Sequence, residues 1–322
     1  MTDLRERLET RQISIYFVAI CVAAMCAVTL RNTGWMAHAI NPALAFMLFV
    51  TFLQVPMAEL TKAFTRLRFL GALLCANFVA IPLVVALLLQ FLPDDPLIRL
   101  GVLLVLLTPC IDYVVTFSHL GRADAKLLLA ATPALLVLQM LLLPGYLHLL
   151  LGDTSANLVR LEPFLEAFVL LIVLPLALAA LVQAWASRSM AGSRWSSRLG
   201  ILPVPATALV LFVVVVAVVP QLDAAGGAAV QVMPIYLAFA VVAPLAGWLV
   251  ARAFGLGASA GRAVAFSAAT RNSLVVLPLA LAVPGAVPIL PAIIVTQTMV
   301  ELLSELIYVR MLPSLGRGKT AD

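Results

Sequence analysis

Hydrophobic runs of near-constant length, separated by short polar segments, recur along almost the whole chain. They lie near 13–30, 40–57, 70–91, 100–118, 127–151, 164–182, 201–219, 228–250, 263–283 and 287–309. A helix of about 20 apolar residues crosses a hydrocarbon core of roughly 30 Å. The pattern therefore predicts an all-α membrane protein with ten transmembrane helices. Two of the runs are interrupted by polar residues, at Thr108-Pro109-Cys110-Ile111-Asp112 and at Thr270-Arg271-Asn272-Ser273. An Asp or Arg at the centre of a spanning helix costs about 2.5 to 3.5 kcal/mol on insertion scales, so such residues are normally retained for work inside a cavity.

Composition agrees with a membrane assignment. Of 322 residues 64% are hydrophobic and 11% charged, with a mean hydropathy of +1.13. Basic residues test the span count, because short cytoplasmic loops carry excess Lys and Arg. With both termini inside, the cytoplasmic segments hold Arg5, Arg7, Arg11, Lys62, Arg66, Arg68, Arg122, Lys126, Arg188, Arg194, Arg198, Arg252, Arg262, Arg310, Arg317 and Lys319. External segments hold Arg31, Arg99 and Arg160, and Arg271 lies within a span. Adding or removing one helix would invert every later loop. The expected location is thus the cell inner membrane, multi-pass, with cytoplasmic termini. The net charge of +5 and pI near 9.3 reflect an anionic lipid leaflet and imply no nucleic acid.

The first eleven residues are polar, with no small-residue cleavage site after the first apolar run, which reads as a retained helix. Cys21, Cys26, Cys75 and Cys110 lie in or beside apolar spans without CxxC spacing, which argues for thiols over a disulfide framework or zinc site.

The basic, Ser-rich segment 183–198 reads as a cytoplasmic linker loop dividing the spans into five and five, with a first repeat over 1–182 and a second over 199–322. An odd number per half makes the second half enter from the opposite side, so halves of shared fold are inverted repeats. Mid-span positions fall at Pro109-Cys110 and Asn272-Ser273 in spans four and nine, and at Gln139 and Gln297 in spans five and ten. Pro109 removes a backbone donor and clashes with the preceding turn. Span nine has no proline before Pro278, so its break rests on the polar run alone. Broken backbone at membrane depth is tolerated where protein or a water-filled cavity satisfies it.

Each candidate residue has a functional and a structural reading. Cys110 offers a soft thiolate ligand suited to a thiophilic solute such as trivalent arsenic, or is a small packing residue. Asp112 carries a coupling proton, or forms an ion pair with Arg271. Arg271 holds an anion, or acts as a fixed positive charge. Glu301 and Glu305 share a helix face; Glu301 belongs either to the pathway or to structure, whereas Glu305 reads as a cytoplasmic-end residue. Gln139, Gln297, Asn272 and Ser273 line a site, or hydrogen-bond between helices. The sequence has no GxxxxGK[ST], HExxH or GxSxG pattern for ATP-driven or hydrolytic chemistry, so an enzyme is not expected and no cofactor is implied.

The run Cys-Ile-Asp-Tyr-Val-Val-Thr-Phe-Ser-His-Leu-Gly-Arg-Ala-Asp from Cys110 to Asp124 resembles the bile acid/sodium symporter superfamily, and within it the arsenite-efflux permeases, arsenical-resistance proteins. The resemblance places Cys110 on that family's essential cysteine and Asp124 on its loop aspartate. It extends to 208–222, similar to the seventh span, and to 266–272, similar to the crossing helix of the ninth. The resemblance implies a panel domain of spans one, two, six and seven, a core domain of the rest, and broken helices four and nine crossing at the site. It also implies alternating access by core against panel. Two departures stand out. The arsenite family has a glutamate at the position of Leu274, a role Asp112 would take from the facing helix. The sodium-coupled branch has Ser-Asn at Val114-Val115, Glu at Ser267 and Gln at Arg271, so most of its sodium ligands are missing.

The expectation is therefore a secondary transporter, a proton antiporter that expels arsenite or a related metalloid acid. Cys110, Arg271, Asn272, Ser273, Gln139 and Gln297 would bind the solute, and Asp112 and Glu301 would couple the proton. The alternative is an organic-anion carrier in which Arg271 pairs a carboxylate or sulfonate.

Overall fold

A computed structural model describes residues 2–30, 33–54, 66–111, 113–152, 166, 169–219, 222–281, 283, 285 and 289–316. The described residues are overwhelmingly helical and contain no β-strand. In chain order the helices are α1 Thr2–Thr29, α2 Ala37–Phe52, α3 Leu67–Cys75, α4 Ile81–Leu89, α5 Pro96–Leu106, α6 Tyr113–Leu120 and α7 Ala125–Leu151. They continue with α8 Leu174–Ala186, α9 Met190–Leu199, α10 Pro203–Val218, α11 Leu222–Ala253, α12 Ala258–Ala269, α13 Ser273–Leu281 and α14 Ile289–Met311.

Five stretches among the described residues are long and apolar enough to cross a membrane: Thr10–Thr29, Leu67–Leu89, Ala134–Leu151, Gly226–Ala253 and Ile289–Ser314. A sixth is added if α9 and α10, bent by 43° at their junction, count as one. This is fewer than the ten expected, for two reasons. The fourth and ninth runs are each cut into two short helices, α5 with α6 and α12 with α13, none of which reaches spanning length alone. Others are short helices, α2 ending in a turn at Leu53–Gln54 and α8 following a π turn at Val169–Val173. The segment 183–198, read from the sequence as a linker, holds the end of α8 and the helix α9, whose start is capped by the Ser189 hydroxyl accepting from Gly192 N–H.

The chain divides into two compact units. The first comprises Met1–Met57, Val159–Gly226 and Leu277–Val295. In it α10 packs on both α1 and α2, and α2 packs on α8. Polar contacts tie its helices together. Thr33 donates to the carbonyl of Val216 at 2.9 Å, and the Gln183 amide donates to Phe52 O at 3.0 Å.

The second unit comprises Ala58–Leu158, Gly227–Val276 and Thr296–Asp322. Here α3 and α4 form one 23-residue span, Leu67–Leu89, joined through a π turn at Ala76–Ala80. Such a turn widens the helix by one residue and shifts the face that later side chains occupy, a feature often found at functional sites. α5 begins cleanly because Asp95 accepts from the N–H groups of Leu97 and Ile98 while Pro96 fills the first helical position. Asp124 likewise caps α7 by accepting from Leu127 N–H.

α12 packs on α3, α6 and α7, and two glycines let its neighbours approach. A Cβ on Gly121 would lie 2.2 Å from the Phe266 ring, and one on Gly247 would lie 2.6 Å from Ala268 Cβ. Small residues at close helix contacts are what packing within a bilayer demands. The outward faces stay apolar: Leu83, Leu87, Leu141, Leu237, Val241 and Leu249 are all at least half exposed, as side chains facing lipid should be.

Candidate functional site

Both interruptions are breaks, and they meet. In the first, Thr108 N–H bonds back to Val105 O, Pro109 has no N–H to give, and Cys110 N–H leaves its own helix for Thr270 O at 3.0 Å. In the second, Asn272 N–H bonds to Thr108 O at 2.8 Å. Pro109 and Arg271 thus face each other in an isolated antiparallel bridge. All four groups would be orphaned in an apolar core without this exchange.

The second break has no proline, and side chains from α14 hold it open. Arg271 N–H, which a continuous helix would direct to Ser267 O, donates instead to the Glu301 carboxylate at 2.7 Å. The other Glu301 oxygen accepts from the Tyr113 hydroxyl, which also reaches Arg271 O at 3.3 Å. The Gln297 amide donates to Glu301 at 2.6 Å, and its carbonyl accepts from the Ser273 hydroxyl. One turn further, Glu305 accepts from the Thr270 hydroxyl, which also bonds Phe266 O. Glu301 and Glu305 are 3% and 0% exposed.

The breaks also leave acceptors without backbone donors. Ser267 O and Ala268 O lose the N–H groups of residues 271 and 272, and Leu106 O loses that of Cys110. The Arg271 guanidinium takes all three. Its Nη2 donates to Ser267 O and to Ala268 O at 2.6 Å, and its Nη1 reaches Leu106 O at 3.4 Å. A fourth acceptor is Asn77 Oδ1 at 2.9 Å, from the π turn, while Asn77 Nδ2 donates to the Ser267 hydroxyl. The Phe239 ring lies 5.6 Å from the guanidinium carbon. Arg271 is completely buried. Beside Glu301 lies a water-sized cavity lined by Tyr236, Gln297, Glu301, Ser304 and Tyr308, toward which Tyr236 brings a hydroxyl with no partner among the described residues.

Of the residues expected at the site, Cys110, Arg271, Asn272, Ser273, Gln297 and Glu301 are brought together. Cys110 is fully buried and in no disulfide. Asn272 enters through its backbone, and its side-chain nitrogen has no partner among the described residues. Gln139 is buried, yet neither of its amide atoms is bonded among the described residues, and it stays outside this network. Asp112 lies outside the described residues.

Four participants were missed by sequence reasoning. Asn77 left a signal, being a lone amide in an otherwise apolar span. Tyr113 and Thr270 flank the breaks, but a hydroxyl beside a break does not reveal its partner. Glu305, which reads in the sequence as a cytoplasmic-end residue, is buried against Thr270.

Two interrupted spans that meet at buried polar and charged residues are a feature of membrane transporters built on discontinuous helices. The chain belongs to the Sodium Bile acid symporter family, whose pattern matches residues 41–225. No curated protein sequence matches it significantly.

Proposed function

We propose that the protein is a proton-coupled secondary transporter that expels arsenite or a related metalloid acid by alternating access. In this reading ten spans form two inverted repeats in the inner membrane with cytoplasmic termini. The observation that carries it is the placement of Cys110: a buried thiol where two broken helices meet, with its N–H bonded to Thr270 O. Trivalent arsenic prefers sulfur to oxygen donors, and a thiol here meets it where the spans are discontinuous.

Glu301 is the coupling carboxylate together with Asp112. The departure at Leu274 is then compensated from α14, because Glu301 reaches the ninth-span break through Arg271 N–H. Protonating Glu301 would turn one of its oxygens from acceptor to donor and weaken its hold on Arg271 N–H, Tyr113 and Gln297. A proton would thereby change the relative stability of two facings, which is what coupling requires. Asn272, Ser273 and Gln297 complete the polar lining. The organic-anion alternative asks Arg271 to pair a carboxylate or sulfonate, and a guanidinium already turned toward four protein oxygens is poorly placed for that.

Cys110→Ser in an arsenic-sensitive host tests the reading. Resistance conferred by the wild type should be lost at unchanged protein level. In inverted vesicles, labelled arsenite should accumulate under an imposed pH gradient, and Glu301→Gln should remove the dependence on that gradient. Resistance preserved in Cys110→Ser, or flux of an organic anion but no metalloid, would exclude the proposal.

A further inference from the structure

Two half-helix C-termini converge on the Arg271 guanidinium. α5 contributes the carbonyl of Leu106, and α12 those of Ser267 and Ala268, each freed because its usual donor is diverted across the crossing or to Glu301. Helix C-termini carry about half a negative charge each. Asn77 adds an amide oxygen from a third segment. Freed carbonyls at the ends of discontinuous helices, joined by a side-chain oxygen, form the donor set with which transporters of this architecture hold a free monovalent cation. Here every one of these oxygens faces a guanidinium nitrogen, and the Phe239 ring covers the same cation.

We propose that Arg271 is a tethered cation: its guanidinium permanently fills an oxygen cage that would otherwise accept a sodium-sized ion, so no sodium enters that cage during the transport cycle. The cage satisfies a charge that never leaves, and two cations within one such cage would repel. Arginine suits the task because its planar group remains charged even when buried and presents several donors in fixed directions. This goes beyond proton coupling and holds whichever solute is carried, since none of the four oxygens belongs to Cys110 or Glu301.

The test is thermal unfolding of the purified protein in sodium, potassium or choline chloride at equal ionic strength. The wild type should melt at the same temperature in all three. Arg271→Ala, which empties the cage, should melt lower in choline and regain about 5 °C with sodium or millimolar guanidinium, as a ligand specific for the folded state requires. Arg271→Gln, which keeps a polar side chain but no charge, carries the same comparison if the alanine variant does not fold. A sodium-specific rise in the wild type would overturn the proposal, as would a folded variant indifferent to every cation. The readout needs no solute, so a chain that carried an organic anion instead of arsenite would give the same melting result.

Discussion

The two helix breaks that face each other are made by different means. The first, at Thr108 to Ile111, is written into its own sequence: Pro109 supplies no N–H, and the Thr108 hydroxyl folds back onto the carbonyls of Leu104 and Val105. The second, at Thr270 to Asn272, has no local breaker. Glu301 and Glu305, thirty or more residues downstream on α14, divert the Arg271 N–H and the Thr270 hydroxyl. One break is thus a property of a segment and the other a property of the packed protein. The second is therefore the one that a change in α14, such as a proton on Glu301, can alter.

The largest expected effect comes from removing the remote support. Glu301→Leu strips acceptors from Arg271 N–H, Tyr113 and Gln297, and each buried donor left unpaired costs about 1 to 3 kcal/mol. Melting should fall by many degrees, whereas Glu301→Gln should retain most of the stability. A melting temperature unchanged in the leucine variant would mean the second break does not depend on α14.

Thr270→Val comes next. It removes one hydroxyl shared between Phe266 O and Glu305 and leaves a buried carboxylate without that donor, for about 1 to 2 kcal/mol. A loss in Thr270→Val as large as in Glu301→Leu would reverse the order of the two glutamates. Pro109→Ala should cost less, about 1 kcal/mol or under, because the exchange between Cys110 and Thr270 and between Asn272 and Thr108 remains. If Pro109→Ala instead exceeds Thr270→Val in an unfolding assay, local chemistry governs both breaks. Smallest is Gln139→Leu, which replaces a buried amide with no bonded atoms among the described residues. It should be neutral or stabilising by up to about 1 kcal/mol, and a strong loss of transport would place Gln139 in the pathway after all.

The same contrast explains what the sequence discloses. Apolar runs predict the helices, and Pro109 predicts the first break, because both signals are local. Arg271 announces itself by its charge in an apolar run. Its remote partners do not: the carbonyls of Ser267 and Ala268 lie within four residues of it, but Asn77 and the carbonyl of Leu106 come from separate segments, and only tertiary structure brings them to the guanidinium. Gln139 and Gln297 occupy matching places in their halves, yet Gln297 bonds Ser273 and Glu301 while Gln139 bonds nothing described. Matched position along a span does not fix the direction in which a side chain points. Glu305 differs for a related reason: nearness to Arg310 in sequence points to the cytoplasmic end of its span, and packing against Thr270 buries it instead.

The bridge between Pro109 and Arg271 has a mechanical consequence. Each strand of that joint gives one N–H and receives one at a single carbonyl, so sliding either strand by a residue would strand donors and acceptors on both. The joint behaves as a rivet. Under the proposed alternating access the joint would stay intact, and a solute would pass beside it instead of between its two strands.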